Sequence, residues 1–272
     1  MRTAQVMAES PHFTIHTVAC AEDDARWSEP ERTAALQIIL VRRGRFRLSS
    51  EGQEIVVDPT VGYLHGPGQE ERFSHPAGGD ICTSITFLDS TLIHDLWPEP
   101  PVHRAASAVP VDARLELAHR LLPHYGDDPG FGAAEAVLDL LMLALRGHGG
   151  PRRLAPGRAE LAERAREAIA AGEREAGDLV GLARLVGTSP SHLSRTFRHH
   201  VGMTVSRYRN RVRVSRALTG IEDGETDLAA LAFSLDFSDQ AHFSRVMREE
   251  LGHTPGRVRA LLADRRRHGP AG

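Results

Sequence analysis

The sequence predicts an α+β chain, with an antiparallel β-barrel or sandwich in its first hundred residues and helices alone after it. Three observations carry this. Short runs rich in β-branched and aromatic residues fill residues 12–90. From Pro110 the hydrophobic period changes from two to that of a helix. In the last hundred residues one short pattern occurs twice, 50 residues apart.

At 272 residues the chain is long enough for two domains. Its 41% hydrophobic and 25% charged residues lie in the globular range, so a core forms without covalent staples. The two cysteines, Cys20 and Cys82, have no ligand-like spacing, which fits a reduced compartment. "MRTAQVMAES" lacks the apolar core of a signal peptide. The longest apolar run, Val137 to Leu145, is about half a bilayer span and contains Asp139. A cytoplasmic protein with no membrane partner is expected.

The first strands are expected in "HFTIHTVA", "AALQIILV", "RFRLSS", "EIVV", "VGYLHG" and "ICTSITFL", separated by "RRG", "EG", "DPT", "GPG" and "PAGGD". Strands at this spacing give an antiparallel sandwich or barrel. "SSEGQE" reads as a hairpin turn with Gly52 at positive φ. After Pro110, "VDARLELAHRLLPHY" and "GAAEAVLDLLMLALRG" place their leucines on one stripe and are predicted as two amphipathic helices. Packing against the barrel and forming a dimer interface are both open to them. "GHGGPRRLAPG" reads as a linker. The divisions expected are a barrel over 1–105, a helical extension over 106–147, a linker over 148–157 and an all-helical unit over 158–272.

The repeated pattern is "HLSRTF" from His192 and "HFSRVM" from His242, with Gly202 and Thr204 recurring as Gly252 and Thr254. Asp178 is predicted to cap "LVGLARLV", which ends at Gly187, and Asp227 to cap "LAALAFSL", with Asp236 in place of that glycine. Ser189, followed by Pro190, caps the next helix of the first copy, and Ser238 that of the second. These two serines are 49 apart whereas the helices they lead to are 50 apart, so the second turn is one residue longer. A short helix, a tight turn and a second helix with polar and Arg side chains outside make a helix-turn-helix unit. Leu193, Phe197, Phe243 and Met247 fall on the inward face. Ser191, Ser194, Arg195 and Arg198 then point outward, as do Gln240, Ser244, Arg245 and Arg248. Hydroxyls, an amide and guanidinium groups are what read base edges and bind phosphates.

The net charge of −3 argues against a nucleic-acid partner, but its distribution argues for one. From Gly157 onward 19 Arg face 15 acidic residues, a balance of +4, and the preceding part carries −7. The chain has no lysine. Between the copies, "TVSRYRNRVRVSRALTG" holds five Arg, of which Arg209 and Arg213 are candidates for phosphate contact; a salt-bridged structural helix accounts for others equally well. A helix of about 16 residues spans roughly 24 Å. That length suits two units about 34 Å apart, in successive major grooves of double-stranded DNA.

"LARLVGTSPSHLSRTFRHHVGMTVSRYRNRVRVSRAL" and "LAALAFSLDFSDQAHFSRVMREELGHTPGRVR", within Glu160 to Arg259, resemble the DNA-binding domain of AraC/XylS-type transcriptional regulators. The resemblance implies that Ser191, Ser194 and Arg195 face bases in one groove and Gln240, Ser244 and Arg245 in the next. It places His192 and His242 near the backbone or the turn, and opens the final helix at Thr254-Pro255. Three positions depart from the family pattern: Asp236 stands for a usual Gly, Met247 for a usual Phe, and Ser191 is small where larger side chains often read bases. The N-terminal half resembles, more weakly, the cupin-like β-barrel that many of these regulators carry as an effector or dimerisation module.

No metal site and no cofactor are expected, because His65, Glu70, Glu71 and His75 lack the His-x-His pair of metal cupins. The barrel interior offers Tyr63, His65 and Cys82, which name no ligand. No Ser-His-Asp constellation, phosphate loop or nucleotide fingerprint occurs, so no enzyme is expected. The reading is a transcriptional regulator whose partners are a promoter element, RNA polymerase, an unidentified small effector and a second copy of itself. A metal-dependent cupin enzyme carrying a DNA-binding tail is the alternative.

Overall fold

Among the described residues ten strands are seen where six were expected from runs of apolar residues. They are β1 (Arg2–Glu9), β2 (Phe13–Cys20), β3 (Glu31–Arg32), β4 (Gln37–Arg43), β5 (Phe46–Ser50), β6 (Gln53–Val57), β7 (Val61–His65), β8 (Glu70–Ser74), β9 (Asp80–Phe87) and β10 (Ser107–Pro110). The computed structural model describes residues 2–21, 25–50, 52–75, 79–89, 107–125, 132–146 and 156–263. The predicted linker lies outside these, apart from its last two residues.

All described strand pairs are antiparallel. One sheet runs β1-β2-β9-β4-β7-β10 and the other β3-β8-β5-β6. β4 shows why its sequence is apolar without alternation: both faces of the six-stranded sheet are covered. Ile39 and Val41 point to a core shared with Phe46, Leu48 and Val57 of the four-stranded sheet and with Tyr63 and Cys82. Ile38 and Leu40 point the other way, with Ile15, Leu64 and Ile85, onto α1 (Ala113–Leu121) and α2 (Gly132–Arg146). Leu115, Leu122, Val137, Leu140 and Leu141 complete that layer. Each fully buried side chain of this kind contributes about 1.5–3 kcal/mol. The hairpin expected at "SSEGQE" joins β5 to β6, with Gly52 at φ 76°.

The unforeseen strands are mostly edges. β1 is exposed along most of its length and carries no apolar alternation. β10 ends the same sheet on its other side with Pro110, where a missing N–H is tolerated.

The remaining helices are α3 (Pro156–Ala171), α4 (Leu179–Leu185), α5 (Pro190–Val201), α6 (Val205–Glu222), α7 (Leu228–Ser234), α8 (Gln240–Leu251) and α9 (Pro255–Ala263). Among the described residues no helix is long and apolar enough to cross a membrane. The chain forms two compact units, Met1–His148 with Ala217–Gly272, and Gly149–Arg216.

In the first unit, α1 lies beside β4, α8 and α9. The end of α6 is fixed there by a buried ionic network. Arg120, 1% exposed, donates to Glu116 at 2.8 Å, to the Arg42 carbonyl at 2.6 Å, to Thr219 at 3.1 Å and to Glu222. Arg42 in turn donates to Glu222 at 2.6 Å. Burial alone would lower the Arg120 pKa, but Glu116 and Glu222 outweigh it and hold the guanidinium charged.

In the second unit, Ala165, Ile169, Leu182, Leu193, Phe197, Tyr208 and Val212 share a core under α3, α4, α5 and the start of α6. Phe197 meets Tyr208 edge-on at 5.4 Å, and Arg166 lies over the Tyr208 ring at 5.7 Å. Glu163 accepts from His200 at 2.8 Å and from Arg166 at 2.8 Å.

Candidate nucleic-acid interface

The helix pairs α4–α5 and α7–α8 are built by the same local devices. Asp178 accepts from the backbone N–H groups of Val180 and Gly181 at 2.8 and 2.9 Å. Asp227 does the same for Ala229 and Ala230, both at 2.9 Å. Between the helices the chain needs a residue in the left-handed region. Gly187 supplies it at φ 74°, and Asp236 supplies it at φ 58°, alone among described non-glycine residues. An aspartate there carries steric strain that glycine avoids.

The second turn is one residue longer, as expected, but the cap inside it is not Ser238. Ser189 accepts from the His192 N–H at 3.3 Å in the first copy, whereas Asp239 accepts from the His242 N–H at 2.7 Å in the second. The extra residue moves the capping position on by one. The Ser238 hydroxyl donates to the Asp239 carboxylate at 3.2 Å and lies 3.1 Å from His242 Nδ1. Hydrogen bonds from the helix start hold the Asp178 and Asp239 carboxyls below their usual pKa.

Each second helix ends the same way. Gly202 and Gly252 take φ near 79° and 78° and bond back to the Arg198 and Arg248 carbonyls. Thr204 and Thr254 then accept from the N–H of Arg207 and Arg257, both at 3.3 Å, to open α6 and α9. The recurring Gly-x-Thr is therefore a stop followed by a start.

Over residues 191–200 and 241–250 the two copies bury corresponding positions identically. Leu193, Phe197, Phe243 and Met247 are fully buried. Ser191, Arg195, Arg198, Gln240, Arg245 and Arg248 are exposed, and His192, Ser194, His242 and Ser244 are half-buried. Arg195 folds back, Nε donating to the Ser191 carbonyl at 3.4 Å. Among the described residues the guanidinium groups of Arg198, Arg245 and Arg248 have no hydrogen-bond or ion-pair partner. His192 Nε2 lies 3.4 Å from the Thr196 hydroxyl, and the His242 ring stands edge-on to Phe237 at 5.4 Å. Both histidines are thus tied to their own helix or turn.

The five Arg of α6 divide. Arg211 is buried at 2% exposure, and Arg216 donates to the Ala170 carbonyl at 3.1 Å. Arg207 is exposed, while Arg209 and Arg213 are half-buried. Arg209 is close enough to Asp178 to help hold that carboxylate charged, and Arg213 bonds Asn210 at 3.5 Å.

In the barrel, Tyr63, His65 and Cys82 are buried as expected, and Glu71 joins them with no exposure. Its neighbour Glu70 instead ion-pairs with Arg32 at 2.9 Å on the surface. Burial drives the Glu71 carboxyl up to about 8 and lowers the His65 pKa, so the 3.3 Å contact between them joins two neutral groups. His65 Nε2 donates to the Gln69 carbonyl at 3.2 Å, which turns the lone pair of Nδ1 toward Glu71. The alternation along β8 is the sequence signal that separates the inward Glu71 from the outward Glu70.

Residues 182–261 match the family model described as a helix-turn-helix domain. The transcriptional regulator GlxA of Rhizobium meliloti is 33% identical over 82 residues, 30% of this chain and 25% of that protein. The arabinose operon regulatory protein of Escherichia coli is 34% identical over 83 residues, 30% of this chain and 28% of that one. The match thus spans little more than a quarter of these relatives' length. A solved AraC-type transcriptional regulator structure from Chromobacterium violaceum, 26% identical, covers 40% of this chain and 97% of its own, with a TM-score of 0.37.

Proposed function

Residues 182–261 match a helix-turn-helix domain, and we propose that the chain is a sequence-specific DNA-binding transcriptional regulator of the AraC/XylS type, without catalytic activity. One observation carries the reading: the second helices of two capped helix pairs share one burial pattern and keep Arg, Ser and Gln on the same outward face. Ser191, Ser194, Arg195 and Arg198 take one major groove, and Gln240, Ser244, Arg245 and Arg248 the next. His192 and His242 hold the turns against the backbone. The 18-residue α6 joins the copies, and Arg209 and Arg213 on it face phosphates. Residues 158–272 are the DNA-binding part, joined through 148–157 to a barrel (1–105) and helical extension (106–147). The barrel responds to a small effector or to dimerisation, and its state alters DNA affinity or contact with RNA polymerase. Its buried polar set of Tyr63, His65 and Glu71 supports this assignment.

The test is a gel shift of the full-length chain against DNA upstream of its own and neighbouring genes, with random competitor, at two salt concentrations. A shift that survives competitor supports the proposal; sequence-blind binding alone, with and without candidate effectors, overturns it. On the specific site, Arg209→Ala is expected to flatten the salt slope by about one unit. An unchanged slope returns Arg209 to a structural role.

A further inference from the structure

At one corner of the barrel three potential ligands converge from separate elements. The ligating atoms of Cys20, His75 and Asp80 all lie within 4.8 Å of one another. Cys20 closes β2 and Asp80 opens β9, and the two are cross-strand partners. His75 directly follows β8, with Nδ1 2.6 Å from Asp80 Oδ2. The corner is tight: a side chain on Gly79 would meet the Cys20 carbonyl at 2.4 Å. Cys20 and Asp80 are 8% and 5% exposed, and the His75 side chain 12%.

The chemistry of the set is selective. A thiolate and a carboxylate together cancel the charge of a divalent cation, which makes burial of all three tolerable. Sulfur with imidazole favours a borderline-soft metal over magnesium or calcium. Tetrahedral bonds of about 2.0–2.3 Å put donors roughly 3.4–3.6 Å apart, so the site closes with shifts of about 1 Å. Cys82 donates from Sγ to the other oxygen of Asp80 at 3.3 Å and fixes its orientation. Arg2, the cross-strand neighbour of Cys20 on its other side, gives its guanidinium to Glu31 at 2.7 Å, so its charge is answered without drawing on the site.

We propose that Cys20, His75 and Asp80 bind a divalent transition-metal ion of the zinc type, with a fourth position open to water or a small ligand. On binding, Cys20 releases its thiol proton to solvent. The His75 ring proton passes from Nδ1 to Nε2, and the metal takes the place of the hydrogen bond to Asp80. The pattern escapes a search for His-x-His because its members come from three strand ends.

The experiment titrates Co²⁺ into the full-length, chelator-treated and reduced chain. About one equivalent is expected to bind with a near-ultraviolet thiolate-to-cobalt band, which Zn²⁺ then displaces. The wild-type titration needs no variant, and absence of the band there overturns the proposal. Cys20→Ser is expected to abolish the band and Cys82→Ser to keep it, with far-ultraviolet circular dichroism checking that each is folded. A band that survives Cys20→Ser, or that disappears only with Cys82→Ser, overturns the ligand set.

Discussion

The two helix-turn-helix copies bury the same positions, yet they rest on different supports. The first copy, α4 and α5, packs on α3 and shares a core with the start of α6. In the second, α7 packs on α8, and α8 lies with α9 against α1, in the compact unit that also contains the barrel. The end of α6 is held in that unit by Arg42 and Arg120. A repeat in sequence therefore copies the inside of a motif and its caps, and leaves its neighbours free to differ. The second copy's stability is bound to the N-terminal part of the chain, and the first copy's to α3 and the start of α6.

The sharpest way to break this comparison is Arg120→Leu. It removes the guanidinium from the buried Glu116 and leaves Glu222 with Arg42 alone, an effect of about 3–5 kcal/mol. Hydrogen exchange is expected to show lost protection in α7 and α8, with α4 and α5 unchanged; equal loss in both would refute the asymmetry. Next in size is Arg245→Ala, expected to lose about 1–3 kcal/mol of specific binding and to relax preference at one base position. Arg195→Ala should cost less, because Arg195 already bonds the Ser191 carbonyl. Competition binding on single-base variants of the site separates the two, and an equal drop on specific and random DNA would remove Arg245 from base reading.

The turns give a smaller contrast of opposite sign. Asp236→Gly is expected to stabilise the second copy by about 0.5–1 kcal/mol, and Gly187→Asp to destabilise the first by about as much. Denaturant midpoints read both, and the contrast fails if both substitutions move in one direction. The smallest effect is acid sensitivity. Burial opposes the charge on Glu163, but His200 and Arg166 outweigh it and hold its pKa below 4.5 in the folded unit. The stability it contributes is present above that value and is lost as pH falls through the lowered one. Position 250 in the second copy, the counterpart of His200, is a glutamate. Melting curves from pH 5 to 3 should show the first copy's unit losing more stability than its Glu163→Gln variant, and parallel curves would refute this.

Much of the interface was legible because it is local. Asp178, Asp227, Ser189, Thr254 and the inward Leu193, Phe197, Phe243 and Met247 are set by spacings of a few residues, and they stand where the sequence puts them. Asp239 was missed because a serine and an aspartate adjoin and only the turn geometry decides which of them caps. β1 was missed because an exposed edge strand needs no apolar alternation. Arg211 reads as one more cation in a basic helix, and only packing reveals it as buried. The Arg42–Glu222 and Arg120–Glu222 pairs join residues 180 and 102 positions apart, a separation over which no spacing rule operates.

The matching burial of residues 191–200 and 241–250 has a consequence for how such a protein changes over generations. Exposed positions on a folded helix usually tolerate exchange within about 0.5 kcal/mol. Ser191 or Arg195 in one copy, and Gln240 or Arg245 in the other, can be replaced without disturbing the side chains beneath them. On the proposed DNA-binding reading, each half of the recognised sequence is then open to revision while the other is retained, and a lineage drifts from one promoter to another through intermediates that still bind half of each.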